Sequence, residues 1–261
     1  MVDVLEPVTE QQRCALMLEG VSKEFGALRA VDGVTLAVTP GERRAVIGPN
    51  GAGKTTLFNC ITGELSLSGG KVFLFDQDIS KLAPYKRVAM GLGRTFQITN
   101  VFPGLTVQEN VFLAAQGLDK MKLNFIRGIP NKGEIRDRAL KALDDAGLLD
   151  KKDAVTKELS HGEQRQLEIA LALALQPKVL MLDEPAAGLS TAERATMADL
   201  VRSLPRDLTI LLIEHDMDLA LGLAERVTCL HYGRVIADDS PVGIAANQEV
   251  QDCYLGVGKH A

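Results

Sequence analysis

The sequence contains no tryptophan, and aromatic residues make up only 4% of its 261 residues. A surface that stacks several nucleobases on aromatic rings is therefore not expected. Positive charge is not in excess either, because 29 Lys and Arg face 34 Asp and Glu, for a net charge of -5. A protein whose main partner is a nucleic-acid backbone usually has a basic face. We therefore expect no nucleic-acid partner.

Cysteines and long apolar runs are also scarce. The four cysteines, at positions 14, 60, 229 and 253, lack zinc-ligand spacing, and we expect reduced thiols. The longest apolar stretch, 169–175, is far shorter than the roughly 20 residues that span a bilayer. The acidic, polar first residues are not typical of a signal peptide. We expect a chain that does not cross a membrane by itself but can dock against a protein that does.

The composition is otherwise that of a globular protein, with 46% hydrophobic and 24% charged residues. Runs of apolar residues predict alternating strands and helices. The predicted strands are 15–21, 34–38, 43–47, 71–75, 179–182, 208–213, 227–230 and 234–237. The predicted helices of the same pattern are 54–63, 163–176, 191–203 and 216–224. This alternation indicates an α/β fold with a mainly parallel sheet.

The middle of the chain, from about residue 97 to residue 154, has a different pattern. Residues 107–115 and 134–146 are predicted to be helical, since apolar residues of the second segment recur at spacings of three and four. Residues 117–133 between them, with scattered Lys and Arg and a proline, predict a loop or a short peripheral element. We interpret this region as a helical insertion into the α/β domain.

A glycine-rich segment follows the strand 43–47. Residues 48–55 read Gly-Pro-Asn-Gly-Ala-Gly-Lys-Thr and match the Walker A pattern between a predicted strand and a predicted helix. Glycines let backbone N–H groups wrap around phosphates, and the helix N-terminus adds partial positive charge. Lys54 would contact the β- and γ-phosphates, and the Thr55 hydroxyl would bind Mg²⁺. The expected nucleotide contacts are Gly48, Pro49, Asn50, Gly51, Ala52, Gly53, Lys54, Thr55 and Thr56. A plain glycine-rich turn is the simpler alternative.

Two acidic residues follow the wholly apolar run 179–182, which is typical of a strand buried on both faces. Parallel sheets bind ligands at the carboxyl ends of their strands, so Asp183 is expected near the phosphate loop, holding Mg²⁺ directly or through water. Glu184 could orient and deprotonate an attacking water. His215 follows the strand 208–213 and is expected at the same edge. A solvated Asp-Glu turn and an unrelated histidine are the simpler alternatives.

Residues 159–165 read Leu-Ser-His-Gly-Glu-Gln-Arg and resemble the signature motif of ATP-binding cassette (ABC) ATPases, usually Leu-Ser-Gly-Gly-Gln. The resemblance extends over about residues 15–255. It implies a single ABC ATPase domain with the P-loop NTPase, RecA-like fold: a mainly parallel sheet, an N-terminal antiparallel β part and a helical subdomain. By this resemblance the nucleotide-binding core is 14–96 and 166–240, the helical subdomain with the signature is 97–165, and the C-terminal tail is 241–261.

The resemblance also implies roles for individual residues around ATP and Mg²⁺. Phe25 stands where an aromatic ring stacks on adenine. Gln97 stands as the Q-loop glutamine, a residue expected to contact Mg²⁺ and to assist catalysis. His215 stands as the switch histidine. Together with Glu184, these residues imply a site that hydrolyses ATP to ADP and phosphate.

In this family two cassettes meet head to tail and enclose two ATP molecules. Ser160, Gly162 and Glu163 of one cassette would therefore contact the ATP held by the other. The sequence departs from the usual motif here, because His161 replaces the first glycine and Glu163 replaces glutamine. Residues 187–190 occupy the D-loop of the family, and Ser190 stands where that loop usually has an aspartate. The resemblance therefore does not imply communication between the two ATP sites through a carboxylate at this position.

Narrower motifs resemble ATPase subunits of branched-chain amino acid importers: residues 91–102, 161–170 and 185–189, and the tail Tyr254-Leu-Gly256. This implies a homodimer, or a heterodimer with a second ABC ATPase, that works with two membrane permeases at the cytoplasmic face of the inner membrane. A periplasmic solute-binding protein would be an indirect partner. ATPases of urea or short-chain amide importers and of lipopolysaccharide exporters look similar. A non-transport ABC ATPase and a regulatory module without turnover are further alternatives.

Overall fold

The computed structural model describes residues 14–95, 101–121 and 132–255. Its strands are β1 (Leu16–Phe25), β2 (Leu28–Val38), β3 (Arg43–Ile47), β4 (Gly69–Leu74), β5 (Gln77–Asp78), β6 (Leu92–Arg94), β7 (Val179–Asp183), β8 (Thr209–Ile213), β9 (Arg226–His231) and β10 (Arg234–Asp239). Its α-helices are α1 (Lys54–Thr62), α2 (Pro84–Ala89), α3 (Val107–Met121), α4 (Lys132–Asp145), α5 (His161–Ala174), α6 (Thr191–Ser203), α7 (Met217–Leu223), α8 (Pro241–Ala246) and α9 (Gln248–Leu255).

The larger sheet has the strand order β10-β9-β3-β8-β7-β6. Its neighbouring strands pair in parallel, except that β10 is antiparallel to β9. Every residue of β3, β7 and β8 is buried, as expected for central strands of a sheet that is covered on both faces. The predicted α/β fold with a mainly parallel sheet is confirmed. This order also brings the carboxyl ends of β3, β8 and β7 side by side.

The smaller sheet has the order β2-β1-β4-β5 and is antiparallel throughout. This confirms the predicted N-terminal antiparallel part. Helix α1 lies between the two sheets, because its Leu57 and Phe58 share one hydrophobic cluster with Leu16 of β1 and Val46 of β3. Burial of the apolar face of α1 fixes the segment that precedes it, which is the glycine-rich loop.

Helices α3, α4 and α5 form a hydrophobic cluster of their own. The apolar face predicted for the second helix of the insertion is buried there, including Ile135, Ala139 and Leu143. The prediction of a loop over 117–133 is wrong at both ends, because α3 continues to Met121 and α4 begins at Lys132. Glycine costs a helix only about 1 kcal/mol relative to alanine, so Gly117 does not end α3. Residues 122–131 lie outside the described part.

Buried arginines stabilise the ends of two core helices. The guanidinium of Arg87 donates to the carbonyls of Cys60 and Ile61 at the end of α1, at 2.9 and 2.6 Å. Arg43 similarly donates to the carbonyls of Arg202 and Leu204 at the end of α6, at 3.1 and 2.8 Å. The last carbonyls of a helix have no partner within the helix, and cations are favourable at that end. Arg87 lies in α2 and Arg43 in β3, so these contacts hold α1 against α2 and α6 against the larger sheet.

Candidate nucleotide site

The glycine-rich loop joins the end of β3 to the start of α1 and is tightly enclosed by backbone. Gly48 has φ 150° and Gly53 has φ 101°. A Cβ atom would lie 2.2 Å from the carbonyl oxygen of Leu230 at Gly48, and 2.3 Å from that of Ala30 at Gly53. Both positions therefore require glycine. No side chain caps the N-terminus of α1, so its first N–H groups can bind an anion.

Lys54 brings a positive charge into this loop. Its ammonium is buried and donates to the carbonyl oxygens of Gly48 at 2.6 Å and Pro49 at 3.1 Å. Burial lowers the pKa of Lys54, and the nearby carboxylates of Glu184 and Asp183 act in the opposite direction. An anion in the loop would give the ammonium a charged partner in place of two neutral carbonyls, and charge-assisted hydrogen bonds are the stronger kind.

Two acids and a histidine lie at the neighbouring strand ends. Asp183 ends β7 and is followed by Glu184, and His215 lies two residues beyond β8. The Nδ1 atom of His215 is 3.9 Å from Oε2 of Glu184. Glu184 has φ 47°, a left-handed conformation that is costly for a residue other than glycine, and its N–H donates to the Ile213 carbonyl at 3.0 Å. The structure brings these side chains together as the strand pattern predicts, and their roles stay predictions.

Asp183 has a partner that the sequence pattern did not reveal. Nη2 of Arg94, the last residue of β6, donates to Oδ2 of Asp183 at 2.6 Å. Nη1 of the same guanidinium donates to Oδ1 of Asn59 in α1 at 2.7 Å and to Oε2 of Glu64 at 3.0 Å. Arg94 therefore ties β6, β7 and α1 together beside the loop. It stands three positions before Gln97, which itself lies outside the described residues.

The residues present fit a magnesium ion held together with phosphates. Mg²⁺ prefers oxygen ligands and is usually bound by one or two carboxylates plus phosphate oxygens. Thr55 and Asp183 supply a hydroxyl and a carboxylate from neighbouring elements, and Arg94 pairs with only one of the two Asp183 oxygens. In the described ranges, no three His, Cys, Asp or Glu side chains form a metal-binding cluster.

Phe25 lies at the tip of the hairpin formed by β1 and β2. The residue is 47% exposed, and the ammonium of Lys23 lies 5.1 Å from the ring centroid. The same hairpin passes over the glycine-rich loop, since the carbonyl of Ala30 contacts Gly53. The hairpin therefore presents an accessible ring, as stacking on a base requires. The stacking itself stays a prediction.

Ser160 begins α5 as its N-cap. Its Oγ accepts from the N–H of Glu163 at 3.2 Å, and Oε2 of Glu163 accepts from the N–H of Ser160 at 2.8 Å. Oε1 of Glu163 pairs with Lys151 at 3.2 Å. The backbone hydrogen bond from Ser160 lowers the pKa of Glu163, which keeps it ionised. The glutamate that departs from the usual motif thus completes a capping box. The predicted helix start at residue 163 is two residues late, because α5 begins at His161.

The N–H of Gly162 donates to Oε1 of Glu193 at 3.2 Å. Glu193 lies in the first turn of α6, where it forms a second capping box with Ser190. Within the part of the chain that the structure describes, no hydrogen bond or ion pair joins Ser160, Gly162 or Glu163 to residues 48–55. Their side-chain contacts instead join them to one another, to Lys151 and to Glu193. Ser190 serves as a helix cap where the family usually has aspartate.

Glu214, which precedes His215, was not predicted as a site residue. Its side chain is 1% exposed, and Oε1 accepts from the N–H of Ala186 at 3.4 Å. Burial raises its pKa from 4.5 to about 7, and the charges of Glu184 and Asp216 act in the same direction. A buried carboxyl next to the predicted catalytic acid therefore exchanges its proton near neutral pH.

The geometry defines a P-loop ATPase, and comparison with known proteins identifies the class. The family model described as ABC transporter matches residues 31–187. The chain belongs to the ABC transporter family, as an ATP-binding cassette. It is 40% identical over 250 residues to the high-affinity branched-chain amino acid transport ATP-binding protein LivG of Escherichia coli (strain K12), across 92% of this chain and 97% of that protein. It is 36% identical over 253 residues to BraF of Pseudomonas aeruginosa, across 94% and 98%.

Solved structures of ATP-binding cassettes have the same fold as this chain. The ADP conformation of MJ1267, an ATP-binding cassette of an ABC transporter, has 29% identity and a TM-score of 0.82, and the match covers 93% of this chain and 99% of that one. A dimeric post-hydrolysis state of the cassette MJ0796, bound to ADP and Pi, has 28% identity and a TM-score of 0.72, with 87% and 98% covered. The chain is therefore the ATP-binding, ATP-hydrolysing subunit of an ABC transporter. Within residues 14–95, 101–121 and 132–255, no helix has the length and apolar content that crossing a bilayer requires.

Proposed function

We propose that this ATPase powers the import of branched-chain or other hydrophobic amino acids through two separate permease subunits. It would act at the cytoplasmic face of the membrane, with a periplasmic solute-binding protein delivering the amino acid. The observation that carries the proposal is near full-length similarity to LivG and BraF, which are both named for branched-chain amino acid transport. No residue of this chain is expected to touch the cargo, so the cargo is inferred from similarity rather than from a binding site.

In the proposed ATP site the triphosphate lies against the loop 48–55. The N–H groups at the start of α1 and the ammonium of Lys54 bind the phosphates, and Lys54 leaves the carbonyls of Gly48 and Pro49 to do so. Bound Mg²⁺, held by Thr55, Asp183 and Gln97, would neutralise phosphate charge. Glu184 would accept a proton from the attacking water, and His215, 3.9 Å from it, would hold that carboxylate and the γ-phosphate in place.

We further propose that the N-terminus of α5 completes the ATP site of a second cassette. The capping box holds the Ser160 hydroxyl and the Gly162 N–H at one helix end, and this end makes its polar contacts away from the loop of its own chain. A helix N-terminus favours a phosphate. The dimeric MJ0796 structure supports pairing, because it is a cassette of the same family bound to ADP and Pi. In such a pair the γ-phosphate would take the Gly162 N–H from Glu193.

A groove on the helices α3 and α4 is the proposed permease contact. It encloses about 430 Å³, and its lining is mainly apolar, with Leu105, Phe112, Leu113, Ala139 and Leu140. Gln108, Glu109 and Arg136 supply the polar part of the lining. An apolar groove with a polar rim suits one amphipathic helix, and we assign it to a short cytoplasmic helix of the permease.

Uptake assays in a strain that lacks this gene test the cargo. Uptake of labelled leucine, isoleucine and valine at low concentration should fall, and the wild-type gene, but not Glu184→Gln, should restore it. Uptake of urea and a short-chain amide should be unchanged. Normal leucine, isoleucine and valine uptake together with loss of another solute would overturn the proposed cargo and leave the ATPase assignment standing.

Paired variants test the groove. Leu113→Asp should abolish co-purification with the permease and leave the ATPase activity of the isolated chain unchanged. Val242→Asp is the matched control, since Val242 is an exposed apolar residue on α8, outside the groove. Equal recovery of permease with both variants would contradict the assignment.

A further inference from the structure

The C-terminal helix α9 contacts the phosphate loop directly. The N–H of Gly48 donates to the hydroxyl oxygen of Tyr254 at 2.7 Å, although the two residues are 206 positions apart. Tyr254 lies outside the region 31–187 that the family model matches. It therefore belongs to a part of the chain that the motifs of the nucleotide site do not include.

Gly48 is the point at which this contact can influence the bound phosphates. Its N–H is bound by Tyr254, and its carbonyl accepts from the ammonium of Lys54 at 2.6 Å. Its Cα faces the carbonyl of Leu230 too closely to allow a side chain. Tyr254 thus fixes the orientation of the Gly48 backbone through its N–H. That orientation in turn sets the position of the carbonyl that binds the Lys54 ammonium.

Helix α9 packs against the hydrophobic core, which fixes its position. Val250 is fully buried, and Cys253 and Tyr254 pack on the same hydrophobic cluster as Ile47 and Cys229. The thiol of Cys253 donates to the carbonyl of Val250 at 3.1 Å. Cys229 is the register partner of Ile47, the residue just before the loop. The hydroxyl of Tyr254 is therefore fixed relative to the strand end from which the loop starts.

We propose that Tyr254 is a positioning residue for ATP: its hydroxyl holds the Gly48 backbone in the orientation that places Lys54 for phosphate binding. Without the hydroxyl, the Gly48 N–H loses its partner, and the free loop turns to find another. ATP must then restore the loop at a cost in affinity. Catalysis in the filled site depends on other residues, so affinity should change more than turnover.

Tyr254→Phe is the direct test, because it removes only the hydroxyl. Tyr85→Phe on α2 is the matched control, since Tyr85 is 56% exposed. We expect Tyr254→Phe to raise both the Kd for ATP and KM by about 10-fold, with kcat within about twofold of wild type, and Tyr85→Phe to change none of them. Unchanged ATP affinity in Tyr254→Phe, or equal effects of the two variants, would overturn the proposal.

Thermal melting without nucleotide shows whether the fold itself has changed. If Tyr254→Phe melts more than about 5 °C below wild type, fluorotyrosine at position 254 replaces it in the titration. This residue keeps the ring packing and weakens the hydroxyl oxygen as an acceptor. A raised Kd for ATP then supports the positioning role, and a wild-type Kd overturns it.

Discussion

Replacing Glu214 with glutamine should stabilise this protein in alkaline solution and leave its stability almost unchanged in acid. The side chain is 1% exposed, and its carboxyl accepts a hydrogen bond from the N–H of Ala186. The amide of glutamine has nearly the same shape and keeps an oxygen for that bond. It removes only the negative charge, which faces the charges of Glu184 and Asp216.

The magnitude follows from the pKa of Glu214, which rises from 4.5 in the unfolded chain to about 7 in the folded protein. Between these values the folded state binds more protons, so the free energy of unfolding falls as the pH rises. Each tenfold change in proton affinity is worth about 1.4 kcal/mol, so the ionised carboxyl costs about 3 kcal/mol above neutral pH. Below pH 4.5 the carboxyl is protonated in both states, and the cost is absent.

Urea denaturation of nucleotide-free wild type and Glu214→Gln at several pH values between 4 and 9 measures this difference. The variant should gain about 3 kcal/mol on wild type above pH 7, and the gain should shrink towards zero below pH 5. Glu158→Gln is the control, because Glu158 is exposed and its replacement should change little at any pH. A gain that is independent of pH, or a destabilised variant at pH 8, would refute the reasoning.

Three further predictions concern Lys54 of the glycine-rich loop, the acidic residue Glu184 and the buried Arg87. Lys54→Ala should weaken ATP binding by about 100-fold, because it removes a buried charged donor, and undiminished affinity in calorimetry would count against the loop. Glu184→Gln should bind ATP but hydrolyse it at least about 100-fold more slowly and accumulate paired cassettes, whereas wild-type turnover would exclude Glu184 as the base. Arg87→Met should lower the free energy of unfolding by about 3 kcal/mol, because it leaves the last carbonyls of α1 without donors. Lys86 is exposed, and Lys86→Met should lower the free energy of unfolding by less than about 0.5 kcal/mol.

Local patterns in the sequence predicted much of the site. Lys54, Asp183 and His215 each stand at the end of an apolar strand or in a glycine-rich turn, and a parallel sheet brings such ends to one edge. The sheet order that puts β3, β8 and β7 side by side realises this expectation. Some short elements escaped prediction, including α2 and α8, because six residues are too few to show a helical period.

Pairings between distant residues could not be predicted. Arg94 reaches Asp183, and Tyr254 reaches Gly48, because sheet order and helix packing bring together positions that no spacing rule connects. The burial of Glu214 could not be predicted either. The apolar strand before it predicts its position, but only the packed structure reveals that its carboxyl is buried and faces the charges of Glu184 and Asp216.

We propose that the loop of one cassette and the α5 N-terminus of another together hold each ATP. Mixing two chains in a Glu184→Gln background, one with Lys54→Ala and one with Ser160→Arg, tests it most directly. A head-to-tail pair of these chains contains one site with both parts intact. ATP retained through rapid gel filtration should therefore appear in the mixture and in neither chain alone. A mixture that retains no more ATP than the separate chains, while Glu184→Gln by itself retains it, would contradict the account.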